Sequence, residues 1–250
     1  MKLIVVGKGG SGKSTIVAAM AKLAARRVRH VVVVDADESN PGIERMLGMN
    51  ESSPSLIDAV GGRKQVFGTL KDASSEAVQA TVRHMLEEAK QRSFLLLQVG
   101  KIRQAGSGCA CPHGVIAREI LSYSFAPGTF VIVDTEAGLE HFGRGVDARV
   151  DMILFVADPS YDAITLCKEA KVLADSIGVP FLTVLNKVGG EDISKFLRAE
   201  LARRGIDVEI VIPYDSQIFE STLLGNPLEV GVAQQAVEQL LFRMLSIGLP

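Results

Sequence analysis

The sequence has few cysteines, almost no net charge and no apolar run long enough to cross a bilayer. Three cysteines in 250 residues, an odd number, argue against a disulfide-held secreted scaffold and make the cytoplasm the default compartment. A formal charge of −2 gives no global attraction to nucleic acid or anionic lipid. The basic cluster Arg26, Arg27, Arg29 and His30 follows a helical pattern, where cations favour the carboxyl end of the dipole, and reads as a solvated helix end. No stretch reaches the roughly 18 apolar residues that a membrane span needs. The apolar run after Lys2 is too short for a signal sequence and runs into glycine. From Gln239 to Pro250 the only charge is Arg243, unlike a basic amphipathic membrane tail. No repeat, linker or low-complexity segment divides the chain, so at 47% hydrophobic it is expected to be one domain, residues 1–250, with a full core.

What the chain does contain is an alternation. Short β-branched or leucine-rich runs predict strands at 3–6, 31–35, 94–99, 129–134, 152–157, 181–185 and 208–212. Helical patterns fall at 13–26, 74–91, 115–124, 163–177, 193–204 and 233–247. The fold class implied is α/β: a doubly wound, mostly parallel sheet flanked by helices, binding ligands at the carboxyl ends of its strands.

The first strand end carries the most specific signal. Gly7-Lys8-Gly9-Gly10-Ser11-Gly12-Lys13-Ser14-Thr15 has the P-loop spacing between a strand and a helix. Its glycines let successive N–H groups turn inward around phosphate oxygens, and the helix behind directs its positive end at the same anion. Lys13 is expected on the β- and γ-phosphates and the Ser14 hydroxyl on Mg²⁺. At the next strand ends, Asp37 is the candidate for orienting the attacking water, and Asp134 for holding Mg²⁺ directly or through water. Gly138 would let backbone approach the γ-phosphate. An acidic helix cap is the plainer alternative for either carboxylate, and Asp35 is the weakest of the three. Asn186, in Leu185-Asn186-Lys187-Val188-Gly189, can read a purine edge. No carboxylate follows two positions after Lys187 to accept from guanine, which favours adenine, and Pro213 lies where backbone could meet the base.

The run 100–114 is read as a loop holding Cys109-Ala110-Cys111. Two thiolates do not complete a tetrahedral site, and the spacing is not that of a zinc ribbon. A two-fold axis would bring the same pair from a second subunit and make four. Zn²⁺, Ni²⁺, Cu⁺ or an iron–sulfur cluster would suit such ligands; ordinary thiols or a redox couple are the alternatives. His113 could add a ligand, although a loop histidine is usually solvated. Cys167 shares an apolar helix face with Ile164, Ala170, Leu173, Ala174 and Ile177 and reads as core.

Together these motifs resemble the MinD/ParA and nitrogenase iron-protein class of deviant Walker A P-loop NTPases. The resemblance lies in Lys8 of the phosphate loop and in the tail Ile212-Pro213-Tyr214-Asp215 with Gly225-Asn226-Pro227-Leu228. Within the class, the run through Cys109-Ala110-Cys111-Pro112 and Asp134-x-x-Ala137-Gly138-x-Glu140-His141-x-x-Arg144-Gly145 most resembles the CooC-type nickel-insertion ATPases. The resemblance implies a homodimer closed by ATP, with Lys8 reaching the partner's phosphates and Lys13 and Ser14 contacting phosphate and Mg²⁺. It makes Gly9, Gly10, Ser11, Gly12 and Thr15 the remaining phosphate-loop contacts, Asp37 and Asp134 the switch acids that bind Mg²⁺ with Ser14, and Cys109 and Cys111 ligands of Ni²⁺ or Zn²⁺ at the dimer interface. It further implies turnover of ATP to ADP, a client such as carbon monoxide dehydrogenase or acetyl-CoA synthase, and no nucleic acid or stable membrane partner. Glu136, a charge inside the second switch, and His113 depart from the pattern. A positioning ATPase and an iron–sulfur electron donor are the other readings.

Overall fold

The computed structural model describes residues 1–38, 42–49, 55–62, 73–89, 94–101, 111–139 and 149–248. Its centre is one seven-stranded, all-parallel sheet with the spatial order β3-β2-β4-β1-β5-β6-β7. The strands are β1 Lys2–Val6, β2 His30–Asp35, β3 Leu95–Gln98, β4 Thr129–Asp134, β5 Met152–Ala157, β6 Phe181–Val188 and β7 Val208–Pro213. Around them lie α1 Lys13–Ala24, α2 Ile43–Leu47, α3 Leu56–Ala59, α4 Ala73–Glu88, α5 Cys111–Ser122, α6 Tyr161–Ile177, α7 Glu191–Ala202, α8 Ser216–Leu224 and α9 Gln234–Gly248.

Alternate residues of each central strand face opposite layers, and both layers are apolar, which is why the strands read as unbroken hydrophobic runs. Leu3 and Val5 pack with α1, α2 and α9, whereas Ile4 and Val6 pack with α3 to α7. Cys167 lies in the second layer, fully buried, with Sγ 3.5 Å from Thr183 Oγ1, and burial pushes its thiol up to about 12. It is an inert core residue, as its helix face implied.

All seven expected strands form. β6 continues three residues beyond 185, through a register irregularity against β7, and so carries Asn186 and Lys187 within the strand. The helix expected at 115–124 begins at Cys111, so 111–114 are helical rather than loop. Pro112 permits this, because a proline in the first turn removes only an N–H that has no intrahelical partner. Helices α2, α3 and α8 are too short to carry a periodic signal of their own.

The chain leaves β1 for β2 on one side of the sheet and reaches β5 on the other, so β1 stands at the topological switch point. Strand register then brings the acidic ends together. Asp35 pairs across the ladder with Asp134, and Asp134 with Val5, immediately before the phosphate loop.

Candidate functional site

Gly7 begins the phosphate loop at φ +149°, and a β-carbon there would stand 2.4 Å from the Val156 carbonyl oxygen. Only glycine lets the loop leave β1 this close to β5. Gly12 caps α1 in the left-handed region at φ 98°, and a β-carbon on it would lie 2.4 Å from Asn186 Nδ2. Between them, the loop is held from β6: Asn186 Nδ2 donates to the Ser11 carbonyl at 2.8 Å and Lys187 Nζ to the Gly10 carbonyl at 2.7 Å. The amide expected at a purine edge is therefore 5% exposed and engaged beneath the phosphate loop. Pro213 ends β7, and Tyr214 N donates back to Val188 at 3.0 Å. Asp215 of the same tail motif is structural: burial works to raise its carboxyl, but N–H groups of Ala233, Ile218, Gly231 and Gln217 together hold it below the ordinary value.

The cleft above the loop encloses about 410 Å³, and its lining includes Gly9, Gly12, Lys13, Ser14, Asp37 and Arg45. A cavity of about 390 Å³ at the opposite, amino ends of β2 and β4 contains none of these groups. Lys13 is 7% exposed; burial lowers its affinity for a proton while Asp134, Asp37 and Glu136 raise it. Asp134 is 1% exposed, and burial pushes its carboxyl up to about 7 despite the neighbouring Ser14 hydroxyl and Lys13. Its Oδ1 has no hydrogen-bond partner among the described residues. A buried, unsatisfied carboxylate oxygen beside a serine hydroxyl, at the mouth of a phosphate cradle, suits a hydrated Mg²⁺ carried by a nucleotide. Gly138 N donates to the Gly7 carbonyl at 3.3 Å, which brings the segment after β4 against the loop.

Lys8 does not point into its own cleft. Its ammonium lies 3.2 Å from Ser160 Oγ and 3.9 Å from Asp158 Oδ2, at the carboxyl end of β5, and its side chain is one-third exposed. Ser160 in turn donates to Asp158 at 2.5 Å. Sequence reasoning passed over Asp158 and Ser160, although the rule of reading the residues after each strand extends to β5.

A second set of charges lies behind Asp37. Lys101 Nζ forms an ion pair with Asp35 at 2.7 Å and also donates to the Asp37 carbonyl. Burial pushes Asp35 up to about 6, with Lys101 opposing it. His113, expected to be solvated, is 2% exposed and lies 2.8 Å through Nδ1 from Glu38 Oε2. Its placement follows from the early start of α5, which turns the first helical turn toward the β2 loop. Cys109 and the second-switch run from Glu140 to Gly145 lie outside the described residues, and Cys111 opens α5. Among the described residues, no group of three or more His, Cys, Asp or Glu side chains is arranged to hold a metal. Nor, among them, is any helix long and apolar enough to cross a membrane.

Residues 2–228 match the model of the CobQ/CobB/MinD/ParA nucleotide binding domain. An uncharacterized ATP-binding protein of Methanocaldococcus jannaschii is 35% identical over 243 residues, covering 94% of this chain and 96% of that protein. The carbon monoxide dehydrogenase accessory protein CooC of Rhodospirillum rubrum is 28% identical over 233 residues, covering 87% and 85%. Among solved structures, the septum site-determining protein MinD of Pyrococcus horikoshii, complexed with Mg-ADP, superposes with a TM-score of 0.71 at 18% identity, covering 98% and 96% of the two chains.

Proposed function

Because the chain belongs to the CobQ/CobB/MinD/ParA nucleotide-binding family, a family of ATPases, we propose that it is a cytoplasmic, homodimeric ATPase that carries nickel to a carbon monoxide dehydrogenase or acetyl-CoA synthase. Lys13 and the loop N–H groups hold the β- and γ-phosphates, Ser14 and Asp134 face the hydrated Mg²⁺, and Asp37 orients the attacking water. Mg²⁺ held there would neutralise charge developing on the nucleotide's phosphates. Lys8 serves the phosphates of a second copy, which makes ATP the closing ligand of the dimer. Cys109 and Cys111 from both copies hold the metal cargo, Ni²⁺ or, in its absence, Zn²⁺.

One observation carries the metal part of this reading. The cysteine segment leaves the described chain after Lys101 and rejoins it at Cys111, and residues flanking both ends reach the β2 loop beside Asp37. Lys101 and His113 thereby lie on the nucleotide side of the sheet, where a second copy would approach. The CooC relative, a carbon monoxide dehydrogenase accessory protein, supports the choice of client.

Equilibrium binding of Ni²⁺ and Zn²⁺ to the purified protein, with and without Mg-ATP, tests it. The expected result is one metal per dimer, with ATP altering the affinity. Cys109→Ala/Cys111→Ala should weaken binding by at least about 100-fold, since the thiolates supply most of the ligand energy. Unchanged binding in the double variant would remove the metal role.

A further inference from the structure

Three lysines at the nucleotide cleft are engaged within the protomer. Lys13 lies among Asp134, Asp37 and Glu136, Lys187 donates to the Gly10 carbonyl at 2.7 Å, and Lys8 rests on Ser160 and Asp158. Arg45 is different. It lines the same cleft from α2, it is exposed, and its guanidinium makes no hydrogen bond or ion pair among the described residues.

The fold nevertheless holds this residue in place. α2 is only five residues long, but Leu228 N donates to the Met46 carbonyl at 2.9 Å, and a β-carbon on Gly48, the cap of α2, would lie 3.6 Å from Pro227 Cβ. The segment after α8 thus fixes α2 from outside. Gly225 ends α8 at φ +73°, and a β-carbon on it would come 3.5 Å from Arg45 Nη1 and 3.8 Å from Arg45 Cδ, so the arginine lies along the end of that helix. The carboxyl end of a helix favours a cation, which keeps the guanidinium at the cleft wall without using its donors.

Charge matching then selects a ligand group. In a phosphate loop the lysine serves the β- and γ-phosphates, which leaves the α-phosphate with backbone N–H groups but no side-chain cation. The wall that Arg45 shares with Thr222 can supply one. Thr222 Oγ1 donates to the Ile218 carbonyl at 2.8 Å, so only its acceptor capacity remains, and that does not suit a phosphate oxygen. The planar fork of N–H donors on Arg45 does.

We propose that Arg45 is a nucleotide-binding residue whose guanidinium takes the α-phosphate of a nucleoside di- or triphosphate. The α-phosphate is the same before and after hydrolysis, so this contact holds substrate and product alike and leaves the chemical step alone. The assignment rests on the nucleotide site proposed above and not on the metal.

Calorimetric binding of Mg-ADP and of the non-hydrolysable Mg-AMPPNP to the full chain, with steady-state ATP turnover beside it, tests the assignment. Arg45→Gln should weaken both nucleotides by one common factor, at least about tenfold, the scale of a hydrogen bond to a charged group. KM should rise with it while kcat holds. Arg45→Lys, which keeps the charge but not the fork, should recover part of the loss. Unchanged ADP affinity in Arg45→Gln overturns the proposal. So does a loss confined to Mg-AMPPNP or to kcat, which would put the guanidinium at the γ-phosphate, and so does a loss that Arg45→Lys leaves unrelieved, which would reduce the residue to packing against Gly225. Wild-type protein that binds neither nucleotide would remove the nucleotide site itself, whereas normal metal binding by Cys109→Ala/Cys111→Ala would remove the metal role and leave Arg45 untouched.

Discussion

Lys8→Ala is expected to lower ATP turnover by about 10³-fold, the scale on which a cation supplied in trans to a transferring phosphoryl group acts. Lys8 is unlike Lys13 in its surroundings. Lys13 is buried among carboxylates at the cleft floor, whereas the Lys8 ammonium rests on Ser160 and Asp158, a third of its side chain open to solvent. A cation resting on one partly exposed pair at 3.9 Å can be transferred to a stronger acceptor at small cost. The phosphates of a second copy are such an acceptor. Nucleotide affinity of the isolated protomer should therefore change little in the variant, while ATP-dependent dimerisation, followed by sedimentation, is lost along with turnover. Survival of both would leave the dimer without its electrostatic link.

Asp134→Asn should have opposite effects on stability and on activity. Burial pushes the Asp134 carboxyl from its ordinary 3.8 to about 7 and Asp35 to about 6. A folded state that binds protons more tightly than the unfolded state loses stability as pH rises between the two values. For Asp134 that window runs from about 4 to about 7, and the cost above it is on the order of 4 kcal/mol at 1.36 kcal/mol per pKa unit. The nucleotide-free protein should thus be more stable at pH 5 than at pH 8 as far as these two groups decide it. Asp134→Asn should recover much of the difference at pH 8. A bound Mg-nucleotide favours the carboxylate, so it should flatten the same slope in the wild type. Denaturant unfolding at both pH values, with and without Mg-ADP, measures all of this. Equal pH dependence in wild type and variant would mean that Asp134 is not the titrating group. Turnover by Asp134→Asn should fall by about 10²-fold or more, the usual cost of removing one electrostatic element of a charged transition state.

The proposed site could be read from the sequence where one residue type has one conformational or chemical use. The phosphate loop combines glycines at the positions that need positive φ with a lysine and a serine at a set spacing, and Gly7 and Gly12 show why no other residue fits there. Strand ends were legible because parallel strands buried on both faces must be apolar throughout, so the first charge after each run marks its exit. Buried pairing was not legible. Lys101 and Asp35 are 66 positions apart, and His113 and Glu38 are 75 apart. Nothing in the local pattern of a histidine after a cysteine distinguishes a solvated ring from one 2% exposed. Asn186 shows the same limit: an amide at a strand end suits a purine edge, yet it also suits the Ser11 carbonyl, and only the approach of β6 to the loop brings those two together.

By itself the sequence determined the α/β class, the order of strands along the chain, the nucleotide loop and the core role of Cys167, because each follows from periodicity or from spacing within a few residues. The tertiary structure alone decided which strand lies beside which, and therefore that Asp35 and Asp134 are ladder neighbours with pKa values raised by shared burial. It also decided that Lys8 rests on Asp158 and Ser160, that Lys101 meets Asp35 and that His113 meets Glu38. Those contacts join residues distant in sequence through a sheet whose strand order departs from chain order, and burial then gives their charges an energy that no local pattern encodes.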